Sequence, residues 1–280
     1  MLGEVGSGKT QTVSAITKFH GEFKSVEELD KVTETRENYS YYASKTEVKT
    51  DKKEYIIYNP SNNNDIVKML IGGRPEIDCA IVVFSTANDS FAQVKEQIDL
   101  LNKVGIKKVV VFLNEPDGGT QDAFMTKLEI RNILEKYGFS SETPLVEGNV
   151  DKVFEDELEA NSAIKELMRR CDDWLRPLNR IYSSTKNATV FKAETYFKGK
   201  QEDGKNSEIT TSYKPNIRFD KGTIASEIAF PEMQESMFPG EHTNLTITLS
   251  LKTKIQIGTH FDIIENDKII GFGIVTEFVK

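Results

Sequence analysis

The sequence has little of the residue types that build disulfide scaffolds or metal clusters: two cysteines, three histidines and one tryptophan among 280 residues. Cys79 and Cys171 stand far apart in apolar sequence, which excludes a disulfide framework or a zinc site and favours a reducing compartment. No apolar run approaches the ~20 residues that span a bilayer, so we expect a soluble protein without a transmembrane segment of its own. No secretory or transit peptide is visible at the N-terminus.

Positive charge is also in deficit, since 36 Lys and Arg stand against 44 Asp and Glu and give a net charge of −8. Such a chain is not expected to bind nucleic acid through its overall field. Apolar residues make up 38% and charged residues 29% of the chain, which excludes disorder throughout. A chain of this length is expected to form two domains.

The pattern of residues 1–176 predicts an α/β domain, in which apolar strand-like segments alternate with amphipathic helices. Strands that are apolar on both faces indicate a doubly wound parallel sheet with helices on both sides. The predicted strands are 54–58, 78–86, 107–114 and 144–147, and the predicted helices are 64–73, 91–105, 120–137 and 157–175. Residues 177–189 are polar and irregular and predict a linker. Residues 190–280 carry short alternating segments typical of a small antiparallel barrel or sandwich.

Residues 3–10, GEVGSGKT, fit the phosphate-loop pattern G-x-x-x-x-G-K-[ST] at every fixed position. Glycines let backbone N–H groups converge on phosphate oxygens, the lysine reaches the terminal phosphates, and the threonine hydroxyl ligates Mg²⁺. The candidate nucleotide-binding residues are therefore Gly3, Gly6, Ser7, Gly8, Lys9 and Thr10, with Thr10 as the metal ligand. Such a loop normally follows a buried strand, but only Met1 and Leu2 precede Gly3. Either the start is mis-assigned or the sheet lacks most of its central strand.

Asn114 and Asp117 follow a strong apolar strand, and ligands bind at this end of the strands in a doubly wound sheet. An Asn and an Asp three residues apart could hold a guanine base, with the carboxylate accepting from the ring N–H and the amine. The alternative is a plain strand-to-loop turn, because Asn, Pro, Asp and Gly are the usual turn residues. The pattern by itself leaves both interpretations open.

With these motifs in this order, the sequence resembles the elongation factor Tu family of translational GTPases, in its bacterial and organellar branch. The resemblance extends over nearly the whole chain, through segments 3–17, 64–117, 212–219, 237–249 and 260–278. It implies a GTPase-like domain followed by the family's last barrel, and a site for GTP or GDP with Mg²⁺. Whether this site holds GTP, GDP, another nucleotide or nothing is left open.

The departures from the family pattern imply a degenerate member. The family's middle barrel, which helps to cradle aminoacyl-tRNA, is missing between the two domains, so tRNA binding is not expected. Tyr39 stands where the first switch has its Thr. Asn59, Asn62 and Asn63 stand where the second switch has its metal-supporting Asp, its Gly and its water-positioning His. We therefore expect no catalytic residue and no useful hydrolysis.

The base pocket also departs from the family, because Glu115 stands where the family has a Lys whose stem packs over the base. Because the apolar strands and domain cores are intact while the switch and catalytic positions are replaced, we expect a non-catalytic accessory or structural subunit of a larger assembly. The resemblance to the bacterial and organellar branch implies a mitochondrial location on the matrix side, in either a respiratory-chain complex or the mitochondrial ribosome. A relative of elongation factor Ts is the expected partner, since in the family that factor grips the two domains kept here. The alternatives are a nucleotide-binding switch with little hydrolysis and a divergent elongation factor.

Overall fold

The computed structural model describes residues 1–31, 33–36, 40–73, 75–88, 90–119, 121–175, 185–220 and 222–279, with the backbone alone for 33–36. These residues form a parallel α/β unit followed by a closed antiparallel β-barrel, which confirms the predicted fold class. Within the same residues, no helix has both the length and the apolar character that crossing a membrane requires.

The α/β unit has a parallel sheet at its centre and a separate antiparallel sheet beside it. Its elements in chain order are β1 (Leu2–Gly3), α1 (Lys9–His20), α2 (Val26–Leu29), β2 (Thr33–Arg36), β3 (Ser40–Lys49), β4 (Glu54–Pro60), α3 (Asn63–Gly72), β5 (Ala80–Ser85), α4 (Ala92–Lys103), β6 (Val109–Asn114), α5 (Ala123–Lys136), β7 (Leu145–Gly148) and α6 (Leu158–Trp174). The parallel sheet has the order β1-β5-β6-β7, and the antiparallel sheet has the order β2-β3-β4. The helices and strands predicted between 54 and 175 are confirmed, with their ends shifted by three residues or fewer.

Strand β6 shows why the parallel sheet has helices on both faces. Its residues are buried throughout, and successive side chains point to opposite sides of the sheet. Val109, Val111 and Leu113 pack into one core with α3, α4 and α5. Val110 and Phe112 pack into a second core with α1 and α6. The two cores fix the carboxyl ends of the parallel strands, where the candidate site lies.

The hairpin of β2 and β3 was not predicted. The prediction that residues 54–58 belong to the parallel sheet is wrong. β4 pairs antiparallel with β3 instead. The N-terminal amine of Met1 donates to the carbonyl of Tyr58 at 2.6 Å, so β4 lies alongside the start of the chain. β1 pairs Leu2 with Val82 and Gly3 with Val83 of β5.

The second unit is a six-stranded closed barrel. Its elements are β8 (Lys186–Phe197), β9 (Ile209–Thr210), β10 (Asn216–Phe219), β11 (Gly222–Ala229), β12 (Ser236–Met237), β13 (His242–Ile255), β14 (His260–Glu265) and β15 (Lys268–Phe278). The barrel closes in the order β10-β11-β13-β8-β15-β14, which decides between barrel and sandwich. The predicted end of the linker at 189 is wrong, because β8 begins at Lys186 and its first residues pair with the far end of β13 beyond a bulge. Positions 177–184 of that linker lie outside the described residues.

The barrel packs directly on the α/β unit through α3 and α4. Nζ of Lys68 on α3 lies 2.5 Å from Oε1 of Glu202, and both side chains are nearly buried. Nδ1 of His260 donates to the carbonyl of Ile71 at 2.9 Å. On α4, Nζ of Lys103 lies 2.6 Å from a carboxylate oxygen of the buried Glu194. Helix α3 is therefore held against the barrel by polar contacts.

Candidate functional site

The phosphate loop connects β1 to α1 at the carboxyl edge of the parallel sheet. Gly3 and Gly8 have φ values of 147° and 92°, in the region that favours glycine. A Cβ at Gly3 would lie 2.4 Å from the carbonyl oxygen of Val83, and a Cβ at Gly8 would lie 2.7 Å from Nδ2 of Asn114. Both glycines are therefore required by the close approach of the loop to neighbouring strands.

The loop and the start of α1 present positive charge and backbone N–H groups. The N–H groups in the first turn of a helix have no acceptor within the helix. Those of α1 have no side-chain cap either, because its N-cap residue is Gly8, so they suit an anion. Nζ of Lys9 donates to the carbonyls of Gly3 at 3.0 Å and Glu4 at 2.7 Å. Burial lowers the pKa of Lys9, and the nearby Glu4 opposes that shift. A bound phosphate would supply the counter-charge that this half-buried ammonium needs.

The Asn114 side chain connects the phosphate loop to the loop that follows β7. Its Nδ2 donates to the carbonyl of Ser7 at 3.2 Å, and its Oδ1 accepts from the N–H of Val150 at 3.0 Å. The buried Asn114 side chain thus makes its hydrogen bonds with two loops of the protein. It brings the phosphate loop and the loop after β7 to one place.

Asp117 is exposed, and both of its carboxylate oxygens have partners in the protein. Nδ2 of Asn149 donates to Oδ1 at 3.2 Å, and Nζ of Lys152 lies 3.0 Å from Oδ2. Burial, and then the nearby Glu147, raise the pKa of Glu115 beside it. The carboxylate of Asp117 is therefore occupied by protein partners, and a guanine edge would have to displace Asn149 or Lys152 to reach it.

The second-switch positions are held by hydrogen bonds within the protein. Nδ2 of the buried Asn59 donates to Oγ1 of Thr10 at 3.3 Å. Asn62 caps α3, where its Oδ1 accepts from the N–H of Asp65 at 3.0 Å. Oδ1 of Asn63 accepts from Nε2 of Gln97 at 3.0 Å. Tyr39, the first-switch position, lies outside the described residues.

Sequence reasoning missed Gln97, which links the second switch to the phosphate loop. Its Oε1 accepts from the N–H of Gly3 at 2.9 Å while its amide holds Asn63. The signal in the sequence is a polar residue within the apolar stripe of a helix, between Val94 and Leu101. Such a residue is buried here, and a buried polar side chain requires partners.

A family model for the elongation factor Tu GTP binding domain matches residues 1–177 of the 280. The chain belongs to this family. It is a translational GTPase-like protein, and membership implies binding of GTP or GDP, typically with Mg²⁺. The match covers the α/β unit and ends before the barrel.

The residues of this GTPase-like site suit the phosphates better than the metal. The glycines, the uncapped N-terminus of α1 and Lys9 fit an anion. The hydroxyl of Thr10 could ligate Mg²⁺, but an amide nitrogen of Asn59 is directed at that hydroxyl, where other phosphate-loop proteins have a carboxylate. The groups around the Thr10 hydroxyl therefore do not fit Mg²⁺, whereas the loop and the start of α1 do fit the phosphates of a nucleotide.

Proposed function

We propose that this chain is a non-catalytic accessory or structural subunit of a larger assembly. The observation that carries this proposal is the combination of an intact phosphate loop with asparagines at the second-switch positions. Hydrolysis of a nucleoside triphosphate depends on positioning the attacking water and on balancing charge in the transition state. Asn63 is a poor substitute for a water-positioning His, because its Oδ1 is taken by Gln97.

The α3 helix offers further support, because it begins at Asn63 and is held against the barrel. A switch needs an element with two arrangements that the ligand can bias. The buried pair of Lys68 with Glu202 and the contact of His260 with Ile71 favour a single arrangement of this helix. These contacts suit a scaffold in which the domains stay together whatever the pocket holds.

An exposed apolar surface on α5 suits binding of a protein partner. Phe124, Met125 and Leu128 each leave 45% or more of their surface exposed, although they lie within five residues of one another. Clustered apolar side chains of this kind mark interaction sites on soluble proteins. We propose a relative of elongation factor Ts as the partner, because in the family that factor grips the GTPase domain and the last barrel.

Mitochondrial location, on the matrix side, is part of the same proposal. It is supported by the resemblance to the bacterial and organellar branch of the family. The host assembly would be a respiratory-chain complex or the mitochondrial ribosome. The family's middle barrel has no counterpart between the two domains in the sequence, and its absence argues against delivery of aminoacyl-tRNA.

The second candidate function is a nucleotide-binding switch with little or no hydrolysis. The complete phosphate loop favours it, because the glycines, Lys9 and Thr10 are all present at the spacing that phosphate binding requires. The two candidates share the loss of catalysis and differ in whether the occupant of the pocket changes the structure.

Single-turnover hydrolysis tests the loss of catalysis. The purified chain is mixed with GTP labelled at the γ-phosphate, and released phosphate is counted against the Lys9→Ala variant, which removes the phosphate contact and reports contaminating enzymes. We expect equal, background release from both proteins. Release that depends on Lys9, at or above about 10⁻⁴ s⁻¹, the scale of an unassisted GTPase, would contradict a non-catalytic role.

A further inference from the structure

Asn59 occupies a buried position beside the hydroxyl of Thr10. It lies near the end of β4, pairs with Ser44 of β3 in the sheet, and is 5% exposed. Its Nδ2 donates to Oγ1 of Thr10 at 3.3 Å, whereas its Oδ1 has no hydrogen-bond partner. In phosphate-loop NTPases, Mg²⁺ is held by the loop Ser or Thr together with an Asp. A neutral amide at this place supplies no negative charge to the metal shell.

The carboxylates of Glu4, in the phosphate loop, and Asp65, on α3, are engaged by backbone N–H groups. Glu4 accepts from the N–H groups of Gln93 and Val94 at 2.8 and 3.1 Å, so it caps α4. Oδ1 of Asp65 accepts from the N–H of Tyr42 at 3.0 Å. Across the described part of the chain, no three His, Cys, Asp or Glu side chains are grouped closely enough to hold a metal ion. In the described part of the chain, the side chain that is hydrogen-bonded to the Thr10 hydroxyl is the neutral amide of Asn59 and not a carboxylate.

The groups that would contact a phosphate are in place in the loop without a metal. Nζ of Lys9 already lies at the loop, and the N–H groups at the start of α1 are uncapped by any side chain. An anion there is held by fixed dipoles and one ammonium group. Phosphate binding and metal binding are therefore separable at this site.

We propose that the site retains its nucleotide independently of Mg²⁺, and that Asn59 is the residue responsible for this independence. The inference rests on the proposed nucleotide binding and deepens it. An Asp at position 59 has nearly the same shape, and its carboxylate would accept from the Thr10 hydroxyl and attract the metal. The difference between the two side chains is one negative charge in a buried place.

Release of a fluorescent GDP analogue tests the inference. The full chain is loaded with the analogue, mixed with excess unlabelled GDP, and followed by fluorescence in Mg²⁺ and in excess EDTA. We expect the two release rates to agree within about threefold for the native chain. The Asn59→Asp variant should release the analogue about tenfold to hundredfold faster in EDTA than in Mg²⁺, the range typical of residues that support a metal shell.

The matched control is Asn64→Asp, which adds the same charge at an exposed position five residues along, at the start of α3. It should behave as the native chain does. A native chain whose release accelerates about tenfold or more in EDTA would overturn the inference while leaving nucleotide binding intact. Failure of the native chain to bind the analogue under both conditions would overturn the inference and nucleotide binding together. If Asn59→Asp does not fold, the measurement on the native chain still decides whether the nucleotide is retained independently of Mg²⁺.

Discussion

The ion pair between Lys68 and Glu202 offers the sharpest test of how the two domains are joined. Residue 68 belongs to α3 and residue 202 to the barrel, and their side chains are 10% and 16% exposed. The hydroxyl of Tyr196 and the N–H of Gly199 also donate to this carboxylate, at 2.6 and 3.2 Å. Replacing Lys68 by Met keeps most of the stem but leaves the carboxylate with two partners in place of three.

Breaking a buried ion pair costs about 3–5 kcal/mol when the remaining charge has no other partner. Because Tyr196 and Gly199 stay in place, we expect a loss at or just below the lower end of that range, about 2–3 kcal/mol of unfolding free energy for Lys68→Met. Glu202→Gln and the double variant complete a double-mutant cycle, for which we expect a coupling energy above about 1 kcal/mol.

Urea unfolding at pH 7 measures these free energies. Trp174, the single tryptophan, reports the α/β unit, and far-ultraviolet circular dichroism reports both units. Burial opposes ionisation of Glu202, but the hydrogen bonds from Lys68, Tyr196 and Gly199 outweigh it and hold its pKa below the usual value. The stabilisation is therefore present above the ordinary glutamate pKa and is lost as the pH falls through the lowered one. A coupling energy below about 0.5 kcal/mol at pH 7, typical of exposed pairs, would refute a buried interdomain contact.

Two further substitutions test the base pocket and the end of α3. Lys152→Ala frees one oxygen of Asp117, so the affinity for GDP should rise a few-fold, about the effect of releasing an exposed ion pair. The affinity for ADP should stay constant. An equal rise for both nucleotides would contradict a guanine-reading role for the Asp117 carboxylate. Gly73→Ala places a Cβ at φ +68° and 2.2 Å from the His260 ring, so it should destabilise by more than the ~1–2 kcal/mol of left-handed strain alone. Gly105→Ala is its control in thermal unfolding, because Gly105 has a similar φ of +85° and no neighbour near its Cβ; equal losses would show that the His260 contact is unimportant.

Local sequence patterns predicted those elements whose side chains have the same kind of surroundings along the whole element. The run at 107–114 is apolar on both faces, and only a strand covered on both sides suits it, so β6 was identified within two residues. The phosphate loop was identified because its glycines and lysine are fixed by chemistry at a fixed spacing. The apolar run after Asn63 also placed α3, but the amphipathic pattern expected there was wrong, because residues 65–71 are all buried between the sheet and the barrel, with Asp65 and Lys68 among them.

Partners that are distant in sequence were beyond such reasoning. Strand β3 of the β2–β3 hairpin is rich in polar residues and half exposed, so its alternation was weak beside the resemblance to a switch segment. The start of β8 depends on pairing with residues 253–255 across the barrel. Likewise, Lys152 beside Asp117 and Gln97 beside Asn63 are brought together by the fold, and no spacing in the sequence indicates either contact.

Native isolation is the most direct test of the central claim that this chain works as a subunit without catalysis. The tagged chain, expressed at its natural level, is extracted in mild detergent and sized, and the nucleotide in the same preparation is identified. The account predicts recovery in an assembly far larger than the 31.6 kDa chain, with any bound triphosphate unhydrolysed. A free monomer that exchanges and hydrolyses GTP would contradict it.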